Sequence, residues 1–143
     1  MILPSYPQVS RGDMSLAVMS RMVSGVMIVD MAGRLGLPDV TLRLRINDWL
    51  EEGHRAFVLN LANVSYVDSF GLSQLISVWT SVRNRGGRLL LLKPSAHVQT
   101  LLQITKLDTV FDVLTEEAHA VRNAGTSALE AGLHAISSSS SLP

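Results

Sequence analysis

An α/β fold built on a single mainly parallel sheet is predicted by three features of this chain. A hairpin pattern opens it, and strand-length apolar runs then alternate with amphipathic helical stretches, giving the order β β α β α β α β α. At 143 residues with 47% hydrophobic side chains, the chain is long enough for one domain with a substantial core.

The elements follow in order. Residues 1–14, with Pro4, Pro7 and Gly12, read as a flexible arm. Leu16–Val23 and Val26–Ala32 are rich in Val, Ile and Met, and the Ser24-Gly25 link between them is a two-residue hairpin signal. Gly33 to Gly36 breaks the strand, and Pro38 suits the first position of a helix. Leu42, Ile46, Trp49 and Leu50 then recur at helical spacing up to Gly53, a C-terminal cap. Ala56–Leu61 has the continuous apolar character of a strand covered on both faces, and 63–70 is read as the turn that leaves it.

A second helix is predicted from about Phe70 to Asn84. Leu72, Leu75, Ile76, Trp79 and Val82 form its inner stripe; Ser73, Gln74, Ser77, Thr80 and Ser81 form its outer face. Gly86-Gly87 ends it, and Arg88–Lys93 is a further buried strand. Ser95 caps a third helix whose Val98, Leu101, Leu102 and Thr105 face inward. Val110–Leu114 is a last strand, and a helix follows over about Ala118–Asn123. The domain is thus expected over 15–124, followed by an Ala/Ser-rich, partly disordered tail over 125–143.

Charge and composition narrow the function. Twelve basic and twelve acidic side chains cancel, and only 17% of residues are charged. Direct nucleic-acid binding and attraction to an anionic membrane both need a basic surplus that this chain lacks. No apolar run is long enough to insert in a bilayer, and no signal-peptide pattern opens the sequence, so a cytoplasmic protein is expected. The absence of cysteine removes thiolate catalysis and cysteine-based zinc or iron–sulfur sites.

No catalytic or metal site is expected, and no cofactor. His54, His97, His119 and His134 fall in four separate segments, and no phosphate-binding glycine loop of the Walker or dinucleotide type occurs. Ser69 lies at a strand-to-helix turn, the place of a nucleophile elbow, but the elbow's first glycine would be at Val67.

One constellation stands out. Asp68-Ser69-Phe70-Gly71-Leu72 opens the second helix, with Asp68 or Ser69 as its N-cap. The outer face behind it has small polar residues and no charge, which suits close approach by a protein partner.

This segment resembles the phosphorylation motif of STAS domains, the fold of bacterial anti-sigma factor antagonists. In that family a strand ends in an Asp-Ser-(Ser/Thr)-Gly-Leu run that opens a helix. The resemblance extends to Gly53-His54-Arg55, to Arg85-Gly86-Gly87 and to Leu107-Asp108, covering roughly Leu16 to Arg122. Phe70 replaces the motif's second hydroxyl residue, which leaves Ser69 as the acceptor, and Ser73 stands where a glycine often follows the leucine.

The resemblance implies a non-enzymatic switch. The protein would bind an anti-sigma factor, often a serine kinase, and be inactivated by phosphorylation at Ser69 and reset by a cognate phosphatase. Asp68, Gly71 and Leu72 would support the motif. The partner surface would comprise Phe70, Ser73, Gln74 and Ser77 of the helix, with Arg34 and Leu35 from the preceding loop. Two further roles exist for such domains: an adaptor subunit of a lipid-transport ATPase complex, and a nucleotide sensor.

Overall fold

The computed structural model describes residues 16–37 and 39–125. The readings of residues 1–14, of Pro38 and of the tail beyond 125 lie outside the described residues. Nine elements follow in chain order: β1 (Leu16–Val23), β2 (Val26–Leu35), α1 (Thr41–Glu51), β3 (Ala56–Val67), α2 (Ser69–Asn84), β4 (Arg88–Leu92), α3 (Ala96–Ile104), β5 (Asp112–Leu114) and a helix, α4, over 117–125. The sheet order is β1-β2-β3-β4-β5; β1 runs antiparallel to β2 and every other neighbouring pair is parallel. The expected α/β architecture is therefore present.

The hairpin forms as predicted. Ser24 and Gly25 both have positive φ, 51° and 80°, which a two-residue turn of type I′ requires. The first helix begins at Thr41, three residues later than Pro38 would place it, and its Leu42, Ile46, Trp49 and Leu50 are all buried. Its end is a Schellman turn: Gly53 N–H donates to the Leu50 carbonyl and His54 N–H to that of Trp49.

Two strands are longer than their sequence suggests. β2 continues to Leu35 and β3 to Val67, so Arg34 pairs with Tyr66 and Leu35 with Val67 where a loop and a turn were expected. The register shifts twice along this pair, and Gly33, at φ 108°, sits at the second shift. β4 is correspondingly short. It pairs with β3 only as far as Asn60–Leu92, so the last seven residues of β3 project beyond it with β2. A short 3-10 turn, Leu107–Thr109, precedes β5, which starts at Asp112 rather than Val110. Thr105 turns outward, its hydroxyl donating to the Leu101 carbonyl at the end of α3.

The sheet carries two cores. α1, α2 and α3 bury Met27, Val29, Met31, Phe57, Leu59, Leu89 and Leu91 on one face. α4 covers the other, where Ala120, Val121 and Ala124 lie on Val26, Ile28, Val58, Leu90 and Leu92. The small alanines let that helix approach the strands closely. Among the described residues α4 spans only part of its face, and the remainder is a groove of about 680 Å³ lined by Ala17, Met19, Asp30 and Asn60, among others.

Arg21 ties α4 to the sheet. Its guanidinium donates to Asp30 at 2.6 Å and to both oxygens of Glu117, and Asn60 donates to Asp30 at 2.7 Å. Burial alone would raise the Asp30 carboxyl, but the Arg21 and Asn60 hydrogen bonds more than reverse this; Arg21 likewise lowers Glu117.

Two outcomes follow from this packing. Leu75, fully buried beneath α2, should lose about 2–5 kcal/mol of unfolding free energy on truncation to Ala, whereas Leu44→Ala on the exposed face of α1 should change it by less than about 0.5 kcal/mol; denaturant titration measures both. Because Asp30 and Glu117 are held below their unfolded values, their pairing stabilises above roughly pH 4 and is lost as pH falls further. The three side chains are 35–41% exposed, so screening keeps the effect small. Hydrogen exchange in 117–125 should accelerate between pH 5 and pH 3 by a few-fold beyond its intrinsic pH dependence, and Arg21→Ala should abolish that extra acceleration.

Candidate functional site

The site is assembled where β2 and β3 end and α2 begins. Asp68 has extended φ/ψ (−93°, −176°) and is the N-cap of α2; its Oδ1 accepts from Gly71 N–H at 2.8 Å. That settles the choice between Asp68 and Ser69: the carboxylate caps the helix, and Ser69 is its first residue and exposed. The Leu72 N–H then closes the first helical turn on the Asp68 carbonyl at 2.9 Å.

The same aspartate holds the preceding strand. Its N–H donates to the Leu35 carbonyl at 3.2 Å, and its Oδ2 accepts from Leu37 N–H at 3.3 Å. Gly71 explains how the two segments come so close. A Cβ there would collide with the Leu35 carbonyl oxygen, and a Cβ on Gly36 would collide with the Asp68 carboxylate. Glycine lets backbone pack on backbone at Gly71 and lets the Asp68 carboxylate lie against the main chain at Gly36.

The loop leading to α1 is clasped from its other side. Asp39 accepts from Leu16 N–H at 2.8 Å and Thr41 N–H at 2.9 Å, and its carbonyl accepts from Gln74 Nε2 at 2.6 Å. Burial would raise the Asp39 carboxyl, but the hydrogen bonds from Thr41 and Leu16 outweigh it and leave it below the ordinary range. Asp39 did not stand out in the sequence, although an aspartate two residues before a helix start is a known local acceptor.

Two residues expected on a partner surface are not on the surface. Gln74 is 1% exposed, because α2 turns Gly71, Leu75, Val78 and Val82 inward and Gln74 beside them toward the loop. Leu35 is fully buried because β2 carries it into the front core opposite Val67. Ile76 moves the other way, from the expected inner stripe to the exposed face. The exposed face of α2 consists of Ser69, Ser73, Ile76 and Thr80, with Phe70, Leu72 and Ser77 half-buried along its borders. It carries no charge before Arg83. Leu37, 67% exposed, adds an apolar group from the loop beside it.

Arg34 is half-buried at the end of β2 and lies over the Tyr66 ring, 4.4 Å from its centroid. His97, near the start of α3, stacks on the same ring at 5.5 Å. Tyr66 and His97 both remain exposed. Cross-strand pairing of Arg34 with Tyr66 creates this stack, which the expected turn over 63–70 concealed. Among the described residues no group of three His, Asp or Glu side chains could hold a metal ion, and no helix is long and apolar enough to cross a membrane.

The cap sets a clear expectation. Asp68→Ala should cost about 0.5–2 kcal/mol in a denaturant titration and Asp68→Asn a few tenths. Gly71→Ala should cost more than either, because its collision is with backbone rather than a movable side chain.

Known proteins resemble this chain in sequence and in fold. The STAS domain sequence model matches residues 18–121. A Thermotoga neapolitana protein that bears the name of an anti-sigma factor antagonist is 30% identical over 79 residues, which is 53% of this chain and 70% of that protein. The anti-sigma factor antagonist SpoIIAA in its unphosphorylated form superposes with a TM-score of 0.65 at 23% identity, covering 75% of this chain and 95% of SpoIIAA. Its phosphorylated form, described as a Bacillus cell fate determinant, gives 0.61 at 22% identity, covering 75% and 98%. With the family sequence model matching most of the chain and the same fold in its relatives, the protein belongs to the STAS domain family.

Proposed function

We propose that this protein is an anti-sigma factor antagonist that docks through the α2 face and is switched off by phosphorylation at Ser69. The observation that carries this reading is the pairing of an exposed Ser69 at the first position of α2 with a neighbouring aspartate that already caps the helix. The names of its relatives support the general role. The partner is an anti-sigma factor with serine-kinase activity, and a phosphatase restores the free hydroxyl. The protein itself performs no catalysis.

The chemistry of the switch follows from the surface. A phosphate adds about −1.5 to −2 charges at pH 7. At a helix N-terminus that charge is favoured by free amides and by the dipole, so the domain stays folded. The face beyond it is uncharged from Ser69 through Thr80, and the contact residues are Phe70, Ser73, Ile76 and Leu37. A partner that packs on this apolar and small-polar surface must strip water from the dianion against a face that itself offers no counter-charge, which costs several kcal/mol and weakens binding by orders of magnitude.

With the cognate kinase and ATP, a phosphate-affinity gel should show one shifted species, and Ser69→Ala should remove it; a persistent shift would place the acceptor elsewhere. In a binding assay with the same anti-sigma factor, Ser69→Asp should weaken affinity roughly tenfold or more. Its far-UV circular dichroism should match that of the parent.

A further inference from the structure

We propose that Arg34 is the internal counter-ion of a phosphorylated Ser69, leaving the Tyr66 ring to pair with the phosphate. The inference rests on the reading of Ser69 as a phosphoacceptor and adds what the phosphate contacts within the domain.

Three observations carry it. First, Arg34 is tied to the approach to Ser69. It pairs with Tyr66, the next rung is Leu35 with Val67, and the Leu35 carbonyl accepts from Asp68 N–H immediately before Ser69. One residue of β2 therefore separates Arg34 from the hydrogen bond that positions the helix start. Second, Arg34 has no carboxylate partner among the described residues, unlike Arg21, Arg85 and Arg88. Among the described residues it lies instead over the ring of Tyr66, which remains partly in solvent.

Third, the carboxylates of this edge are already engaged. Asp68 accepts from Gly71 and Leu37 N–H groups, and Asp39 accepts from Leu16 and Thr41. His97, on α3, is the other basic side chain stacked on the Tyr66 ring, and it is exposed. Arg34 is thus the one guanidinium beside the motif that is not already bound to a carboxylate among the described residues.

The exchange has a direction. A guanidinium makes two parallel hydrogen bonds to a phosphate, a stronger interaction than an exposed contact with an aromatic face. Phosphorylation then draws Arg34 off Tyr66 and leaves Tyr66 stacked on His97 alone. The modification is read at the ends of β2, β3 and α3 as well as at the head of α2.

The test places phosphoserine at position 69 during synthesis by genetic encoding, so neither kinase nor anti-sigma factor is needed. Phosphorus NMR then follows the second ionisation of the phosphate, ordinarily near pH 6. Arg34→Gln should raise that midpoint by about 0.5 or more relative to the Arg34 protein. Arg34→Lys should retain most of the lowering, and Arg45→Gln, which removes a guanidinium stacked on Trp49 instead, should leave it unchanged. Asp68, His97 and the helix terminus are common to all four proteins and cancel in the comparison. Tyr66 ring resonances should shift on phosphorylation with Arg34 present and not with Arg34→Gln. Equal midpoints for Arg34 and Arg34→Gln, in proteins with native circular dichroism, overturn the inference, as does a Tyr66 ring indifferent to the phosphate. A failure of kinase labelling or of partner binding would count against the proposed function and leave this result standing.

Discussion

The architecture of the site depends on one close approach, that of the α2 backbone at Gly71 to the carbonyl at the end of β2. No side chain fits between them, so the first turn of α2 rests directly on Leu35. Asp68 makes the approach tolerable for the polar groups involved. It gives its N–H to Leu35 and satisfies with its carboxylate two N–H groups that would otherwise lack partners, one on the helix and one on the loop. Strand, loop and helix are thereby fixed to one another through a single residue, and Ser69 is presented from a rigid base.

The loop after β2 would be the weakest part of such an arrangement, and three part-buried hydrogen bonds compensate. Asp39 binds the first strand through Leu16 and the helix start through Thr41, while Gln74 reaches from α2 to the Asp39 carbonyl. A polar side chain that looked like surface in the sequence is thus a structural strut. The carboxylates of this edge are spent on backbone amides, so little negative charge faces solvent beside Ser69. The back of the sheet is organised differently. There an exposed ion-pair network from Arg21 to Asp30 and Glu117 fastens α4 over a small alanine-rich core.

Most of the fold was legible in the sequence because hydrophobic periodicity and turn chemistry agreed locally. The Ser24-Gly25 hairpin, the buried stripe of α1, the Gly53 cap and the Ser95 cap all formed where local signals placed them. The ends of β2 and β3 were not legible. Asn63 and Ser65 look like turn residues, yet they occupy a strand whose pairing depends on a register shift that no local pattern announces. Leu35 was misplaced for the same reason. In α2 the difficulty was an excess of apolar residues. Leu72, Leu75, Ile76, Val78, Trp79 and Val82 span more than one face, and only packing against the sheet decided that Val78 faces in and Ile76 out. The motif itself was legible, because its residue types carry geometric demands: an oxygen to cap, a glycine to approach, a leucine to pack.

The division of labour between Asp68 and Ser69 has a physical logic for a modification site. A serine that caps a helix points its hydroxyl at the amides of the first turn, where an enzyme reaches it poorly and modification displaces the cap. Here the carboxylate one residue earlier takes that task, and Ser69 occupies the following position with its side chain exposed. A phosphate added there inherits the favourable potential of the helix terminus without removing the bond that starts the helix. The same reasoning explains why Phe70 in place of a second hydroxyl leaves the arrangement intact. Phe70 is half-buried and makes no contribution to the cap, so the residue after the serine can be apolar while Asp68, Ser69 and Gly71 retain their positions. What the substitution removes is a hydroxyl at the second position of the helix, one residue beyond the exposed Ser69.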